Sequence, residues 1–420
     1  MSPHAIRQNS SQINPSTELR KFAVSRNAFL PEDAPLKQLP NAYYEPWELI
    51  VHNLPSLIEA GETGIRRAVD QLPVLSTDRL QSEPEWRRAY VILAFVTHAY
   101  ILPPQISVPF LKVSKHLELP PVLTYAAANL WNFSCAGDDF SNLADLDTLI
   151  SFTGTQSEAW FLLISVAMEA RAGAIIPPMM AALDAVKTRE YDVIISALDG
   201  LRTCIDGVGV LLERMYEKND PSIFYNQIRP FLAGSKSMEA AGLPRGVFYD
   251  EGEGKGEWMQ LRGGSNGQSS LIQFFDIVLG IEHSTTGNNT PEPGLPSYHE
   301  LIRDYMPGPH KRFLIHMTRM GSIRELANLP AANDDHRRMK EAFKAATEAL
   351  TIFRTKHIGI VTRYIILPSK QAAMGGRQNL ASASSSKKEE KELTGTGGTV
   401  LVPFLKQSRD ETAEAGKLKN

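Results

Sequence analysis

The 420-residue chain has very little cysteine, with only Cys135 and Cys204. Two such distant residues supply neither a disulfide framework nor a CxxC metal or redox pair, so a reducing intracellular compartment is expected. An excess of charge of either sign is also lacking, because 44 basic residues face 47 acidic ones and the net charge is -3. This balance gives no overall electrostatic footprint for a nucleic-acid partner or an anionic lipid surface.

Targeting and membrane-spanning patterns are lacking as well. Residues 1–20 are polar and contain no apolar core typical of a secretory signal. The most apolar run begins at Trp160 and is interrupted by Glu169 and Arg171 before it reaches the length of a membrane span. We therefore predict a cytoplasmic protein with no membrane partner, in which this run is a buried helix.

Alternation of apolar and polar residues with a period of two is almost absent. Apolar residues instead recur every three or four positions in EPWELIVHNLPSLIEAG, EPEWRRAYVILAFVTHAYIL and PPVLTYAAANLWNF. Thr155 and Glu158 have the spacing of a capping box just ahead of the run from Trp160. The sequence predicts an all-α fold of two helical domains, with the second beginning near this box.

These signals divide the chain into four parts. Residues 1–153 form a small helical domain with an irregular N-terminal arm, and residues 154–367 form a large helical domain that ends before Pro368. Residues 368–399 are rich in small and charged side chains and are predicted to be a mobile loop. The C-terminal segment 400–420 contains the apolar VLVPFLKQ, which would tether the chain end, so the loop between two anchored ends can act as a lid.

One histidine lies on the apolar face of a predicted helix. His357 continues a stripe in steps of three and four that comprises Met339, Phe343, Ala346, Leu350, Phe353, Ile360 and Tyr364. Such a histidine is usually a core residue hydrogen-bonded to a carbonyl, but a neutral imidazole in an apolar pocket also suits an axial ligand of haem iron. Zinc is disfavoured because no second histidine or cysteine follows at helical spacing. Arg354, one turn earlier, is either a solvated charge or a partner for a haem propionate.

Two further stretches and one turn leave alternatives open. RGGSNGQSSLIQFFD lacks the lysine of a phosphate loop, because Gln268 follows Gly267, so it is either a backbone that a ligand approaches closely or a flexible connection. NDPSIFYNQIRPFLAGSK places Phe224 before Arg229, either as a ring and a cation suited to an aromatic carboxylate or as a core ring and a surface charge. His310, in YMPGPHKRFL, is predicted to lie in an exposed turn. Signatures of a Ser-His-Asp triad, HExxH or paired catalytic carboxylates are not visible.

Five segments resemble segments that are found in this order in the indoleamine 2,3-dioxygenases: FYNQIRPFLAGSK, GGSNGQSSLIQFFDIVLGIEH, RDYMPGPHKRFL, LTIFRTKHIGIVTRYIILP and GTGGT. The resemblance runs from about Leu117 to Phe404. It implies one haem b between a small and a large helical domain, with His357 as the proximal ligand of the iron. It also implies insertion of both atoms of O₂ into L-tryptophan to give N-formylkynurenine, the entry to the kynurenine route towards NAD, by a protein whose iron a reductant keeps ferrous. We expect a monomer.

The resemblance also implies roles at the substrate. Arg229 would bind the carboxylate, Phe224 would pack on the indole, and Tyr225 would lie beside it. Ser165 would lie near the indole N–H. The remaining residues expected to line the substrate pocket are Tyr125, Phe161 and Leu162.

At the haem, the resemblance implies a second set of roles. The loop containing Gly264, Ser265 and Asn266 would cross the haem edge, with Ser265 near a propionate and the substrate ammonium. Arg354 would hold the other propionate, with Asp276 nearby. Thr396, in GTGGT, would close over the site.

Three positions depart from the family's pattern. Leu162 occupies a position that is often aromatic, Asn266 one that is often alanine, and Ala128 one that is cysteine in some vertebrate members. These differences bear on affinity and substrate range rather than on reaction type. The alternative function is a haem-binding member with weak tryptophan turnover and a regulatory or signalling role; a non-enzymatic helical interaction protein gains no support from the intact site residues.

Overall fold

Helices dominate a computed structural model of the chain, which describes residues 15–100, 103–236, 238–284, 297–374, 393–396 and 400–418. Within these ranges the strands form two short antiparallel hairpins. The prediction of an all-α fold is confirmed, while the division into two domains stays a prediction.

The first part of the chain builds a helical layer around a nearly continuous buried segment, Ala89 to Val96. A π-helical turn, Ala126–Leu130, follows this layer and precedes the first hairpin. The elements are α1 (Pro15–Arg20), α2 (Glu45–His52), α3 (Leu54–Glu59), α4 (Ile65–Asp70), α5 (Glu83–Ala99), α6 (Pro104–Leu117), β1 (Phe133–Cys135) and β2 (Leu146–Thr148).

The second part of the chain is organised around one long helix that packs along two others. Helix α16 (Asp334–Val361) packs against both α9 (Tyr191–Glu213) and α18 (Leu401–Ala415). The elements are α7 (Gln156–Arg171), α8 (Ile176–Thr188), α9 (Tyr191–Glu213), α10 (Met215–Lys218), α11 (Pro221–Ile223), β3 (Val247–Gly252), β4 (Lys255–Met259), α12 (Ser270–Val278), α13 (Tyr298–Ile302), α14 (Gly308–Met317), α15 (Ile323–Asn328), α16 (Asp334–Val361), α17 (Leu367–Met374) and α18 (Leu401–Ala415).

The predicted start of α7 is confirmed by its cap. The Thr155 hydroxyl accepts a hydrogen bond from the backbone N–H of Glu158. The buried Glu158 carboxylate in turn accepts from the Ser151 hydroxyl at 2.7 Å and from the backbone N–H of Phe152 at 2.8 Å. Because one side chain satisfies several donors of the preceding loop, it fixes the direction in which α7 enters the core.

The segment Gln156–Thr188 is long and apolar enough, by length and composition, to qualify as a membrane span, with a mean hydropathy of 1.6. It comprises α7 and α8, and 67% of its most apolar window is buried inside the protein. A core helix of this kind passes the same test as a membrane helix, and the predicted burial of the run from Trp160 agrees with the buried fraction.

The predicted helix end at Pro368 is wrong. The chain passes from α16 through a π-helical turn, Thr362–Ile366, into α17, which reaches Met374. Pro368 is the second residue of α17 and directly follows the π-helical turn, so its missing N–H falls where the helical hydrogen-bond register already changes. The predicted lid loop 368–399 therefore begins as a helix, and its residues 375–392 and 397–399 lie outside the described residues.

The predicted exposure of His310 is also wrong. His310 lies in the first turn of α14 and is buried, with its ring 5.1 Å from the Phe29 ring. Burial, together with the Arg87 cation, lowers the pKa of His310 to about 3, so this imidazole is neutral. The N-terminal segment around Phe29 covers a turn that the local sequence predicts to be exposed to solvent.

Candidate active site

A large cavity lies among α7, α12, α16 and α18, and its wall is mostly apolar. Three π-helical turns contribute to it, Ala126–Leu130, Phe224–Ile228 and Thr362–Ile366. Such widened turns are frequent at functional sites. The residues predicted from the sequence that line the cavity are Tyr125, Phe161, Leu162, Ser165, Phe224, Arg229, Gly264, Ser265, Asn266, Arg354, His357 and Thr396.

His357 presents its imidazole to this cavity. The ring is half-buried by area because it faces the cavity, yet it lies deep within the protein. Burial, and then the Arg354 cation, lowers its pKa to about 4, so the ring is neutral at physiological pH. Within the described parts of the chain no hydrogen bond reaches either ring nitrogen, which differs from the hydrogen-bonded core histidine considered as the alternative. One neutral imidazole with a free lone pair in an apolar cavity fits the axial ligand of a haem iron.

The predicted stripe on α16 explains how His357 is held. Met339, Phe343, Ala346 and Leu350 are fully buried on the same face, and the stripe continues to Tyr364. The Tyr364 hydroxyl donates to the backbone carbonyls of Met215 and Asn219, each at 3.0 Å. Because the helix is anchored on both sides of His357, the direction of the imidazole follows from the helix phase.

Arg354 lies one turn before His357 and forms a buried ion pair. Its Nη2 donates to Oδ1 of Asp276 at 2.5 Å, and both side chains are at least nine-tenths buried. Burial raises the pKa of Asp276, but the Arg354 cation and a hydrogen bond from His283 outweigh this and hold it at about 2. Nε of Arg354 is buried without a hydrogen-bond partner among the described residues. An unused cationic donor beside the imidazole suits an anionic group such as a haem propionate.

A network that no local sequence pattern indicates continues from Asp276. His283 hydrogen bonds through Nε2 to Asp276 at 3.1 Å and through Nδ1 to Glu411 of α18 at 2.7 Å. Burial lowers the pKa of His283, but the hydrogen bonds to the two carboxylates give a net rise. The network therefore connects α12 and α18 at the edge of the cavity.

The network also contains a possible metal site. One potential ligand atom from each of Asp276, His283 and His299 lies within 4.8 Å of the other two. The two imidazole rings, however, are stacked with their centroids 3.9 Å apart and their planes at 18°. Ring nitrogens bind a metal through lone pairs in the ring plane, so rings stacked in this way do not direct both lone pairs at one ion. Both nitrogens of His283 already have carboxylate partners, and the cluster is therefore an ion-pair network.

Glu169, which in the sequence only interrupts an apolar run, is a buried carboxyl group in the cavity wall. Its Oε1 accepts hydrogen bonds from the Tyr125 hydroxyl at 3.1 Å and from the Ser269 hydroxyl at 2.8 Å. Burial raises the pKa of Glu169 to about 7, and these two hydrogen bonds act in the opposite direction. Glu169 thereby joins α7, the segment before the first π-helical turn and the start of α12.

We expect Glu169 to make the stability of the protein fall as pH rises from about 4 to about 7. The unfolded carboxyl group ionises near its ordinary pKa of about 4.3, whereas the folded one keeps its proton up to about 7. The folded state therefore binds more protons in this window, and ionising the group costs about 3 kcal/mol of folding free energy. Glu169→Gln removes this dependence, which urea unfolding at several pH values measures.

The control for this experiment is Glu341→Gln, because Glu341 is an exposed side chain that pairs with Lys344 on the surface. It is expected to retain the pH dependence of the wild type. Parallel curves for wild type and Glu169→Gln would contradict the assignment.

The glycine-rich loop, residues 263–267, is held in place by close packing and hydrogen bonds, so it is not a flexible connection. A Cβ atom on Gly263 would lie 2.1 Å from the Leu232 carbonyl oxygen and 2.4 Å from the Gly234 nitrogen, so only glycine fits there. The Gln268 side chain donates to the Gly263 carbonyl and accepts from the Tyr125 N–H, each at 2.8 Å. Gln268, which rules out a phosphate loop, is the residue that holds this loop against the cavity.

Arg229 is a buried cation in the cavity wall, with 1% of its surface exposed. Its Nη2 donates to the backbone carbonyl of Thr394 at 2.6 Å. Burial lowers the pKa of Arg229 to about 10, so the guanidinium is still charged at neutral pH. Tyr225 is buried with its ring 5.6 Å from this guanidinium, but it is not part of the cavity wall, so the structure places it behind Arg229.

An aromatic wall lies beside Arg229. The Phe161 and Phe224 rings are 4.8 Å apart, and Phe224 meets Tyr364 edge to face at 5.9 Å. A planar aromatic ligand is stabilised by such a wall, and a guanidinium next to it suits a carboxylate. The structure thus favours the aromatic-carboxylate interpretation of this stretch.

Residues 393–396 form a strap that crosses Arg229 and the glycine-rich loop. The Thr396 hydroxyl donates to the Gly264 carbonyl at 2.7 Å, and the Gly263 N–H donates to the Thr396 carbonyl at 3.3 Å. Gly395 and Thr396 line the cavity. Thr396 therefore joins the strap to the glycine-rich loop, and its role in closing the site stays a prediction.

We expect Thr396→Val to loosen this strap, because it removes the hydroxyl donor while keeping the side-chain shape. Losing one neutral hydrogen bond of about 1 kcal/mol should accelerate amide hydrogen exchange at Gly263 about fivefold. The control is Thr355→Val, whose hydroxyl donates to the Thr351 carbonyl on an exposed part of α16. An unchanged exchange rate in Thr396→Val would mean that the hydroxyl does not hold the strap.

Comparisons with known proteins agree with this geometry. The family model described as indoleamine 2,3-dioxygenase matches residues 18–415. The chain is 39% identical to an indoleamine 2,3-dioxygenase of Aspergillus nanangensis, over 95% of this chain and 97% of the relative. It is 36% identical to the indoleamine 2,3-dioxygenase of Saccharomyces cerevisiae, over 98% and 96% of the two chains. It is likewise 36% identical to a 6-hydroxytryptophan 2,3-dioxygenase of Fusarium equiseti, over 95% and 98%.

The match covers every residue that lines the cavity, from Tyr125 to Ser408. The imidazole, the buried guanidinium and the glycine-rich loop that carried the resemblance in the sequence meet around one space in the structure. The chain belongs to the indoleamine 2,3-dioxygenase family.

Proposed function

We propose that the chain is a haem dioxygenase that inserts both atoms of O₂ into L-tryptophan, cleaves the C2–C3 bond of the indole and releases N-formylkynurenine. The observation that carries this proposal is the neutral, unbonded His357 imidazole in a cavity that also holds a buried Arg229 beside an aromatic wall. His357 would hold the iron of haem b, and Arg354 would face a propionate. The haem, when bound and ferrous, supplies the centre that activates O₂.

The protein's own groups mainly bind and orient the substrate. Arg229 forms charge-assisted hydrogen bonds with the substrate carboxylate, and Phe224 and Phe161 fix the plane of the indole. Ser165, buried on α7, lies in the wall near the expected indole N–H. The strap and the apolar wall exclude water, and their contacts hold the reacting ring in one orientation.

The setting of this activity follows from the same proposal. The protein would act as a cytoplasmic monomer in tryptophan catabolism, at the entry to the kynurenine route towards NAD, with a cellular reductant keeping the iron ferrous. The Fusarium equiseti relative is named for a hydroxylated tryptophan, so a ring-substituted substrate is a second candidate. The polar side chain of Asn129 in the cavity wall favours that candidate specifically.

The test is turnover by protein reconstituted with haem, reduced without oxygen and then mixed with L-tryptophan and ¹⁸O₂. We expect N-formylkynurenine in which both new oxygen atoms carry the label. Protein that binds haem and tryptophan but forms only traces of product would instead support the alternative, a family member with a regulatory role.

A further inference from the structure

Asn129 is an amide side chain in an otherwise apolar stretch of the cavity wall. It is 4% exposed and lies between Ala128 and Leu130 on the first π-helical turn. The N–H of Trp131 donates to the Ala126 carbonyl, five residues earlier, at 3.0 Å. This spacing accommodates one more residue than an α-helical turn, and the turn contributes both Ala128 and Asn129 to the cavity wall.

One hydrogen bond fixes which way the amide points. Nδ2 of Asn129 donates to the backbone carbonyl of Leu162 on α7 at 2.9 Å. A carbonyl only accepts, so the nitrogen must face Leu162 and the oxygen must face away from it. The orientation of the amide is therefore determined by its partner.

The Oδ1 atom of Asn129 is left without a donor in the described parts of the chain. It accepts no hydrogen bond there, and it is not one of the fully enclosed polar atoms. In a residue so deeply buried that lines the cavity, the open surface of this oxygen faces the cavity. A desolvated acceptor without a donor costs free energy until a ligand supplies one.

Asn132 shows what a purely structural amide looks like three residues further on. Its Nδ2 donates to the Ile150 carbonyl at 2.9 Å, and its Oδ1 accepts from the Ile150 N–H at 2.8 Å. Both ends of that side chain are satisfied within the protein. Asn129, by contrast, uses only its nitrogen for the fold and leaves its oxygen for the cavity.

Asn129 and Arg229 line the same cavity but are held by different elements. Arg229 is held by the strap and binds the carboxylate, whereas Asn129 is held by α7 beside Leu162. Its other wall neighbour, Ala128, is small and apolar. The end of tryptophan away from the carboxylate is the benzene ring, and Asn129 is taken as the group that meets a substituent on that ring.

We propose that Asn129 is a specificity-determining residue whose Oδ1 accepts a hydrogen bond from a hydroxyl group on the benzene ring of the indole. The substrate class then includes ring-hydroxylated tryptophans. This inference rests on the proposed function, because it assumes that the amino-acid end of the substrate lies at Arg229. An acceptor of this kind separates a hydroxyl from a methyl group of similar size, since only the hydroxyl donates.

The test compares kcat/KM for the 5-, 6- and 7-hydroxy derivatives of L-tryptophan with kcat/KM for the methyl derivative at the same position. The enzymes are the haem-loaded wild type and Asn129→Leu, which keeps the size of the side chain and removes the acceptor. A hydroxyl group also activates the ring electronically, but this effect is the same in both proteins. We expect the hydroxy-to-methyl ratio for one position to fall about tenfold in the variant.

Asn53→Leu is the matched control, because it replaces an exposed amide of the first helical part of the chain that is not in the cavity wall. Its hydroxy-to-methyl ratio of kcat/KM is expected to equal that of the wild type. A fall of this ratio in the control variant but not in Asn129→Leu would overturn the proposal. An unchanged ratio in Asn129→Leu would overturn it too. So would an equal loss for tryptophan and for its methyl and hydroxy derivatives, since this result would assign Oδ1 to the indole N–H or to the fold.

A second measurement does not depend on the variant folding. Binding of each hydroxy and methyl derivative to the ferric wild-type protein, followed by the haem spectrum, should favour one hydroxy derivative by about tenfold in Kd. The inference would be overturned if the hydroxy and methyl derivatives had equal Kd values at each of the three positions. Failure of the wild type to turn over any tryptophan would instead overturn the proposed function, so the two failures are distinguishable.

Discussion

His357→Ala is expected to abolish haem binding, and with it all measurable dioxygenase activity. His357 offers the cavity a neutral imidazole, and the apolar residues around it provide no substitute ligand on that face of α16. Purification with haem supplied, followed by the Soret spectrum and the haem content per chain, measures the effect. A variant that retains the wild-type spectrum and haem content would show that another residue binds the iron.

Stability and chemical rescue separate a ligand from a structural residue. Because no described residue hydrogen bonds to the His357 ring, its loss should change the free energy of unfolding of the haem-free protein by only about 1 kcal/mol. Free imidazole should enter the space left by the side chain and restore part of the haem spectrum. His52→Ala is the control, because His52 is an exposed residue of α2 and should leave haem binding unchanged.

Arg229→Ala is expected to lower kcat/KM for L-tryptophan by about 30-fold to 5000-fold, which corresponds to about 2–5 kcal/mol for a lost buried charge-assisted contact. Arg229 lies beside the Phe161–Phe224 wall and is held by the Thr394 carbonyl, so its position is set before a ligand arrives. Arg229→Lys should recover only part of the loss, because an ammonium cannot form the two parallel hydrogen bonds of a guanidinium. Steady-state kinetics on the haem-loaded enzymes measures both effects.

Tryptamine, which lacks the carboxylate, shows whether the loss comes from that contact. The wild type and Arg229→Ala should bind tryptamine with similar affinity, while they differ strongly for tryptophan. Arg338→Ala, on the exposed surface of α16, is the control for removing a positive charge. Unchanged efficiency of Arg229→Ala with tryptophan would assign the carboxylate to another group.

The sequence predicted the helices and the inward face of α16 because these depend on local periodicity. Each residue of the His357 stripe is separated from the next by one helical turn, so burial of one face follows from the spacing of apolar side chains. The cap at Thr155 was predictable for the same reason, since both partners lie within one turn. The roles of Arg229 and Thr396 needed the family resemblance, because no local pattern separates a buried cation from a surface one.

By itself, the sequence determined the helical class, the phase of the helix that carries His357, and membership of the family through ordered segments. Only the tertiary structure decided which polar groups meet: Glu169 with Ser269, His283 with Glu411, and Asn129 with Leu162. It also placed Tyr225 behind Arg229 and buried His310 under the N-terminal segment. Hydrophobic periodicity acts between neighbours along one helix, whereas these contacts join residues far apart in the chain, and only packing determines which of them are left to face the cavity.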